Sequence, residues 1–266
     1  MQKIALMAID LDGTLLTTAK KVSPKTKRLL QQASRQQVRV VIATTRTVDF
    51  VQELCQSLAL TDPIICANGA HILSAPFGAE WGNYAIPTNV ALTIAQLADA
   101  HDWEIYSTIG AIKYLRQRPQ QTLGQLSANT IIVKTNAEGM VGPPMRILLW
   151  HPDAITFFRT FCKTELGNDC YTETYYTPNG DVHSLGIFLA GADKGSALGL
   201  VLGKLNIAPD AVLAIGDNDN DIALFSQAGM KIAMGNGTAT LKAQANAIAP
   251  DNDNDGVGWA IEQFVL

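Results

Sequence analysis

Residues 3–14 read Lys-Ile-Ala-Leu-Met-Ala-Ile-Asp-Leu-Asp-Gly-Thr, and the reading of this stretch decides the fold. From Lys3 to Leu11 the run is almost wholly apolar and then meets Asp10, Asp12 and Gly13. Such a run suits a parallel strand buried on both faces, with its reactive groups at the carboxyl end. Downstream, Ser23-Pro24 reads as an N-cap with proline at the first helical position, and Leu29, Leu30 and Ala33 give the helix its apolar stripe. A buried strand at Val38–Ala43, an amphipathic helix at Val48–Leu58 and a short strand at Ile64–Ala67 follow, the last ending at Asn68-Gly69. Alternating strands and helices predict an α/β fold, a doubly wound, Rossmann-like parallel sheet.

From about Trp81 to Ile187 the pattern changes. Glu104–Ser107 and Ala111–Leu115 alternate like half-exposed strands, two helices are predicted at Val90–His101 and Asp153–Leu166, and Pro143-Pro144 and Pro178-Asn179-Gly180 read as turns. An antiparallel sheet with helices on one side, an α+β module inserted into the first domain, is the expectation. The βα pattern resumes at Asp193: helix to Leu205, strand Val212–Ile215, helix Asp219–Ala228, strand Lys231–Met234, helix Thr238–Ala245 and a last helix Val257–Phe264. The boundaries predicted are 1–76 with 190–266 for the core and 77–189 for the insertion. Hinges are expected at Ala75–Gly78 and Gly191-Ala192.

Composition narrows the class. In 266 residues, 20 basic against 24 acidic side chains leave a net charge of −4, with 47% hydrophobic residues. That supports a packed core and gives no electrostatic reason to bind nucleic acid or an anionic membrane. No apolar run approaches the length of about 18 residues needed to span a bilayer. Cys55, Cys66, Cys162 and Cys170 include no Cys-x-x-Cys pair, so reduced thiols and a cytoplasmic location are expected.

Four clusters fall at predicted strand ends or helix starts. Asp10 and Asp12, two apart in an extended segment, would point to one face, where two carboxylates can divide nucleophile and acid roles; a solvated Asp-Gly turn is the plainer alternative. Thr44-Thr45-Arg46 could form a phosphate site, though taken alone an ordinary helix cap is the plainer reading. Lys194, at a helix start, is out of place against the helix dipole unless an anion lies near it; an exposed surface lysine is the plainer alternative. Gly216–Asp221 offers three carboxylates and two amides, hard oxygen donors suited to Mg²⁺; the strand before it and the lack of a closing glutamate argue against a calcium loop.

In this order, Asp10–Thr14, Thr44, Lys194 and Gly216–Asp221 resemble the four motifs of the haloacid dehalogenase-like phosphatases. The resemblance extends to the Cof-type branch with its inserted α/β cap, and is supported by Ala67–Ala70, Ala233–Gly237 and Asn252–Val257. It implies a phosphatase acting on phosphate monoesters of small metabolites through an aspartyl-phosphate. Asp10 would be the nucleophile and Asp12 the acid and then the base. Thr44, Arg46, Lys194 and Asn220 would bind or orient the substrate, and Asp10, Asp12 (through its carbonyl), Asp217 and Asp221 would hold Mg²⁺. The cap would shut over the core and supply substrate contacts. Sugar phosphates lead as substrates, with pyridoxal phosphate or flavin mononucleotide as other candidates. A sugar-phosphate mutase and a non-catalytic sensor are the competing readings. Partners other than a small phosphorylated metabolite are not expected: no nucleic acid, no membrane and no obligate protein. Two departures stand out, Thr45 where the family has glycine and Gly186 where many relatives have glutamate. His71, His183, Arg116, Lys113 and Tyr176 have no motif to place them.

Overall fold

The computed structural model describes residues 3–116, 129–177 and 180–266, so Pro178 and Asn179 of the expected turn lie outside the described residues. The chain divides into two compact units, Met1–Gly82 with Asp193–Leu266, and Asn83–Ala192. In chain order the first unit opens with β1 (Leu6–Ile9), α1 (Pro24–Arg35), β2 (Arg39–Ala43), α2 (Val48–Leu58), β3 (Ile64–Cys66), β4 (His71–Leu73) and β5 (Glu80–Asn83). The insertion carries α3 (Thr88–Ala100), β6 (Tyr106–Ile109), β7 (Ile112–Arg116), β8 (Thr130–Val133), β9 (Arg146–Leu149), α4 (Pro152–Thr164), β10 (Cys170–Tyr176) and β11 (Val182–Leu189). The first unit then resumes with α5 (Lys194–Leu205), β12 (Val212–Gly216), α6 (Ile222–Phe225), β13 (Met230–Ala233), α7 (Ala239–Lys242), β14 (Ala247–Ile248) and α8 (Gly256–Phe264).

The first unit is built on an eight-stranded sheet of order β14-β13-β12-β1-β2-β3-β4-β5. From β14 to β3 the pairings are parallel, and β1 sits between β2 and β12. The pleat sorts the apolar run: Met7 and Ile9 join one core with Leu30, Val51 and Ile261, while Leu6 and Ala8 join the other with Leu198, Val201 and Phe225. Both faces of β1 are therefore buried, which is why its sequence does not alternate. At the start of α1 the Ser23 hydroxyl accepts the Thr26 amide, Pro24 opens the helix, and Leu30 and Ala33 are buried.

Two expectations are corrected. Ala75–Gly78 lies in the turn of the β4–β5 hairpin, tied by Ser74 N–H to Ala79 O and Gly78 N–H to Ala75 O, and β5 adds the edge strand to the first unit's sheet. The helix expected at Asp219–Ala228 is one 3-10 turn, Asp219–Asp221, followed by the short α6.

The second unit has a six-stranded sheet, β10-β11-β9-β6-β7-β8, antiparallel except for the parallel β7–β8 pair. Its own core joins α3 and α4 to one sheet face through Ile94, Phe158, Ile147 and Ile187. All four cysteines are buried and none forms a disulfide, and burial pushes the Cys55, Cys162 and Cys170 thiols up to about 12. Among the described residues no helix is long and apolar enough to cross a membrane.

Candidate active site

Neighbouring parallel strands deliver their next residues to the same edge of a sheet. Asp10 follows β1, Thr44 follows β2 and Asp217 follows β12, the three strands adjacent at the sheet's centre. One oxygen each from Asp10, Asp217 and Asp221 lies within 4.8 Å of the others. Lys194, 1% exposed, points its Nζ between Asp10 Oδ1 and Asp221 Oδ1, at 2.6 Å from each. The anion that its position at a helix start demanded is thus a pair of carboxylates. Asp193 caps the same helix by accepting from the amides of Gly195 (2.8 Å) and Ser196 (2.9 Å).

The turn after β12 is folded around Asp221. Its Oδ2 accepts from the amides of Asp217 (3.0 Å) and Asn218 (3.1 Å), and a Cβ on Gly216 would come within 2.5 Å of its carboxyl. Asp217 in turn lies flush on the loop after β1. Thr14 donates to Asp217 Oδ1 at 2.8 Å, and Gly13, at φ +85°, leaves the space where a Cβ would meet Asp217 Oδ2 at 2.2 Å. Glycine is needed there for the left-handed backbone and for the close approach together.

The charges in this cluster shift one another. Burial raises the Asp10 carboxyl well above its ordinary value, against the pull of Lys194 and with the push of Asp221 and Asp217. Burial, then the charge of Asp221, pushes Asp217 up to about 6. Burial works to lower Lys194, but Asp10 and Asp221 outweigh it and its pKa rises, so the ammonium stays charged. A buried set of hard carboxylate oxygens carrying more negative charge than its one lysine offsets suits a divalent cation such as Mg²⁺.

Asp12 lies apart from this cluster. β1 ends at Ile9, so the expectation that two residues of extended chain would aim both carboxylates at one face does not carry through to Asp12. Arg46 grips its carboxylate with Nε (2.5 Å to Oδ2) and Nη2 (2.6 Å to Oδ1), and Lys20 Nζ reaches Oδ1 at 2.7 Å. The guanidinium of Arg46 also stacks 3.8 Å from the centre of the Phe50 ring. Partial burial raises the Asp12 carboxyl, and the hydrogen bonds and charges of Arg46 and Lys20 overcome this to lower it. Thr44 is buried, its hydroxyl accepting from the Arg46 amide at 3.2 Å. The Asn220 amide donates to Asn68 Oδ1 at 3.2 Å, linking the ends of β12 and β3. His71, unplaced by any motif, meets Glu80 across the β4–β5 hairpin at 2.9 Å. Thr14 belongs to the first motif's string, but nothing in its spacing marks it as the partner of Asp217. Lys20 carries no sequence signal.

A family model described as haloacid dehalogenase-like hydrolase matches residues 7–261. The chain belongs to that family, in its Cof-type branch, as the four motifs imply. It is 30% identical over 99% of its length, and 96% of the relative's, to 5-amino-6-(5-phospho-D-ribitylamino)uracil phosphatase YcsE of Bacillus subtilis. It is 26% identical to pyridoxal phosphate phosphatase YbhA of Escherichia coli, covering 98% of each chain. In three dimensions it is similar to a haloacid dehalogenase-like hydrolase from Bacteroides thetaiotaomicron, with a TM-score of 0.86 at 24% identity over 98% of this chain and 99% of that one. Within the family, the chain is a phosphoric monoester hydrolase.

Proposed function

We propose that the chain hydrolyses phosphate monoesters of small metabolites through an aspartyl-phosphate on Asp10, with Mg²⁺ as cofactor. The observation that carries this reading is the buried Asp10 carboxylate, held by Lys194 inside a cluster of further carboxylates. Asp10 attacks phosphorus, the bond to the ester oxygen breaks, and Asp12 gives that oxygen a proton. Asp12 then takes a proton from the water that attacks the phosphoryl-aspartate, and phosphate leaves as the Asp10 bond breaks. Lys194 and Thr44 hold phosphoryl oxygens, Lys194 also offsetting charge between Asp10 and the phosphate.

Asp10, Asp217 and the Asp12 carbonyl would hold Mg²⁺, with Asp221 at the edge of the set because its oxygens already serve Lys194 and two amides. When bound, the ion screens the repulsion between carboxylate and phosphate. Arg46 binds the substrate, which frees the Asp12 carboxyl from the guanidinium fork to face the leaving oxygen. Asn220 orients the site through Asn68. Relatives named for a ribityl phosphate and for pyridoxal phosphate support a small phosphorylated metabolite, sugar phosphates first.

The test is phosphate release from p-nitrophenyl phosphate and a panel of sugar phosphates, with and without EDTA, by wild type, Asp10→Asn and Asp12→Asn. Mg²⁺-dependent release, abolished in Asp10→Asn, is expected, with radiolabelled phosphoenzyme trapped in Asp12→Asn. Undiminished hydrolysis in EDTA by metal-free protein overturns the cofactor, and phosphoenzyme on Asp10→Asn overturns the nucleophile.

A further inference from the structure

The loop after β1 is held in an unusual way. Thr17 N–H donates to Lys21 O at 2.9 Å and Lys20 N–H to Thr17 O at 2.8 Å, closing a tight turn. The Thr17 hydroxyl reinforces it, donating to Lys21 O and accepting from the Lys21 amide. Within the turn Lys20 takes φ +57°, a left-handed conformation that a residue with a side chain adopts only when its surroundings hold it there. Its ammonium reaches Asp12 Oδ1 at 2.7 Å.

The chain on both sides of this turn is held from the far end of the sequence. Asp253 accepts from both the amide (2.8 Å) and the hydroxyl (2.7 Å) of Thr18. Asn252 donates its side-chain amide to Leu16 O at 2.9 Å, and Asn236 donates to Gly13 O at 2.8 Å. Asp255 accepts from the hydroxyls of Ser23 and Thr26. The stretch 13–26 is thus pinned along its length by Asn236 and by the Asn/Asp loop 252–255. That polar loop contributes no buried side chain of its own at Asn252–Asn254.

We infer that Lys20 is a positioning residue for Asp12, and that the 252–255 loop is the clamp that keeps Lys20 in place. The inference rests on the reading of Asp12 as the leaving-group acid. A guanidinium fork and an ammonium, delivered from two different loops, fix the carboxylate more tightly than either alone. In the proposed reaction Arg46 turns to the substrate, and Lys20 is then the group left to keep Asp12 aimed at the leaving oxygen. A general acid works only within hydrogen-bond reach of the atom it protonates, so a loosened Asp12 slows the departure of a poor leaving group and spares a good one.

The experiment compares benzyl phosphate, whose alkoxide needs a proton to leave, with p-nitrophenyl phosphate, whose phenolate does not. Wild type, Lys20→Met, Lys20→Arg, Asp253→Ala and Asp12→Asn are assayed in Mg²⁺, each checked by circular dichroism. Lys20 is 56% exposed and Asp253 is exposed, so neither change removes packing. Lys20→Met is expected to lower kcat/KM on benzyl phosphate, which covers only the steps up to departure of the alcohol, by about three- to tenfold, with kcat/KM on p-nitrophenyl phosphate altered by less than about twofold. Lys20→Arg restores most of the loss, and Asp253→Ala shows the same selectivity in smaller measure. Equal losses of kcat/KM on both substrates, or no rescue by arginine, overturn the role of Lys20 while an Asp12→Asn selective in kcat/KM leaves the acid in place. If Asp12→Asn lowers kcat/KM equally on both substrates, the reading of Asp12 as the acid fails and this inference falls with it.

Discussion

Asp217→Asn removes a charge from the acidic cluster while keeping the shape of the side chain. Burial and Asp221 move this carboxyl from 3.8 to about 6. About two pKa units, at about 1.4 kcal/mol each, mean that the ionised side chain withholds up to about 3 kcal/mol from the folded state at neutral pH. Because the folded protein keeps a proton there that the unfolded chain has already lost, stability falls as pH rises from 3.8 toward 6. Without metal, the asparagine variant is therefore expected to be more stable than wild type by about 1–3 kcal/mol at pH 7. The advantage should shrink as pH is lowered through that window. Urea unfolding in EDTA, followed by intrinsic fluorescence at a series of pH values, measures it. Saturating Mg²⁺ then reverses the order, since a ligand stabilises the state that binds it and the variant has lost a binding oxygen. A variant less stable than wild type in EDTA at pH 7, or an advantage that does not vary with pH, would refute the electrostatic account.

Gly13→Ala forces a Cβ against Asp217 and strains a left-handed residue, so it should cost about 1–3 kcal/mol and weaken Mg²⁺ binding; calorimetric titration giving wild-type affinity would count against the close approach. Phe158→Ala empties a fully buried position in the second unit and should cost about 3–5 kcal/mol. Hydrogen exchange locates the loss: faster exchange is expected in β9–β11, with the amides of β1 still protected, and uniform acceleration would contradict separate cores.

The parts of the architecture visible in the sequence were those written in contiguous residues. An unbroken apolar run identifies β1 because both its faces are buried, and Ser23-Pro24 marks α1 because capping is local. β4, β5 and β14, of two to four residues each, are too short for any periodicity, so the hairpin around Ala75–Gly78 passed for a hinge. At the site, the family resemblance implied that Asp10, Lys194 and the Asp217–Asp221 loop belong to one centre, and in the structure these side chains lie together. The ion pair of Asp12 with Arg46 and Lys20 was not visible. It depends on the chain leaving its extended path after Ile9, and on a turn whose shape is set by residues more than 200 positions away.

The position of β1 has a consequence for synthesis on the ribosome. Its two sheet neighbours are made at very different times: β2 follows within 40 residues, whereas the turn that directly follows β12 supplies the residue bonded to Thr14 from 203 positions further on. The inserted unit, continuous from Asn83 to Ala192, is translated completely in the interval. A nascent chain stopped at Ala192 would carry one unit with all its strands and another whose central strand, Leu6–Ile9, presents an unpaired apolar edge to any chain nearby. Translational pausing before β12 is therefore the moment at which this protein is most exposed to aggregation, and the one at which a chaperone would have most to cover.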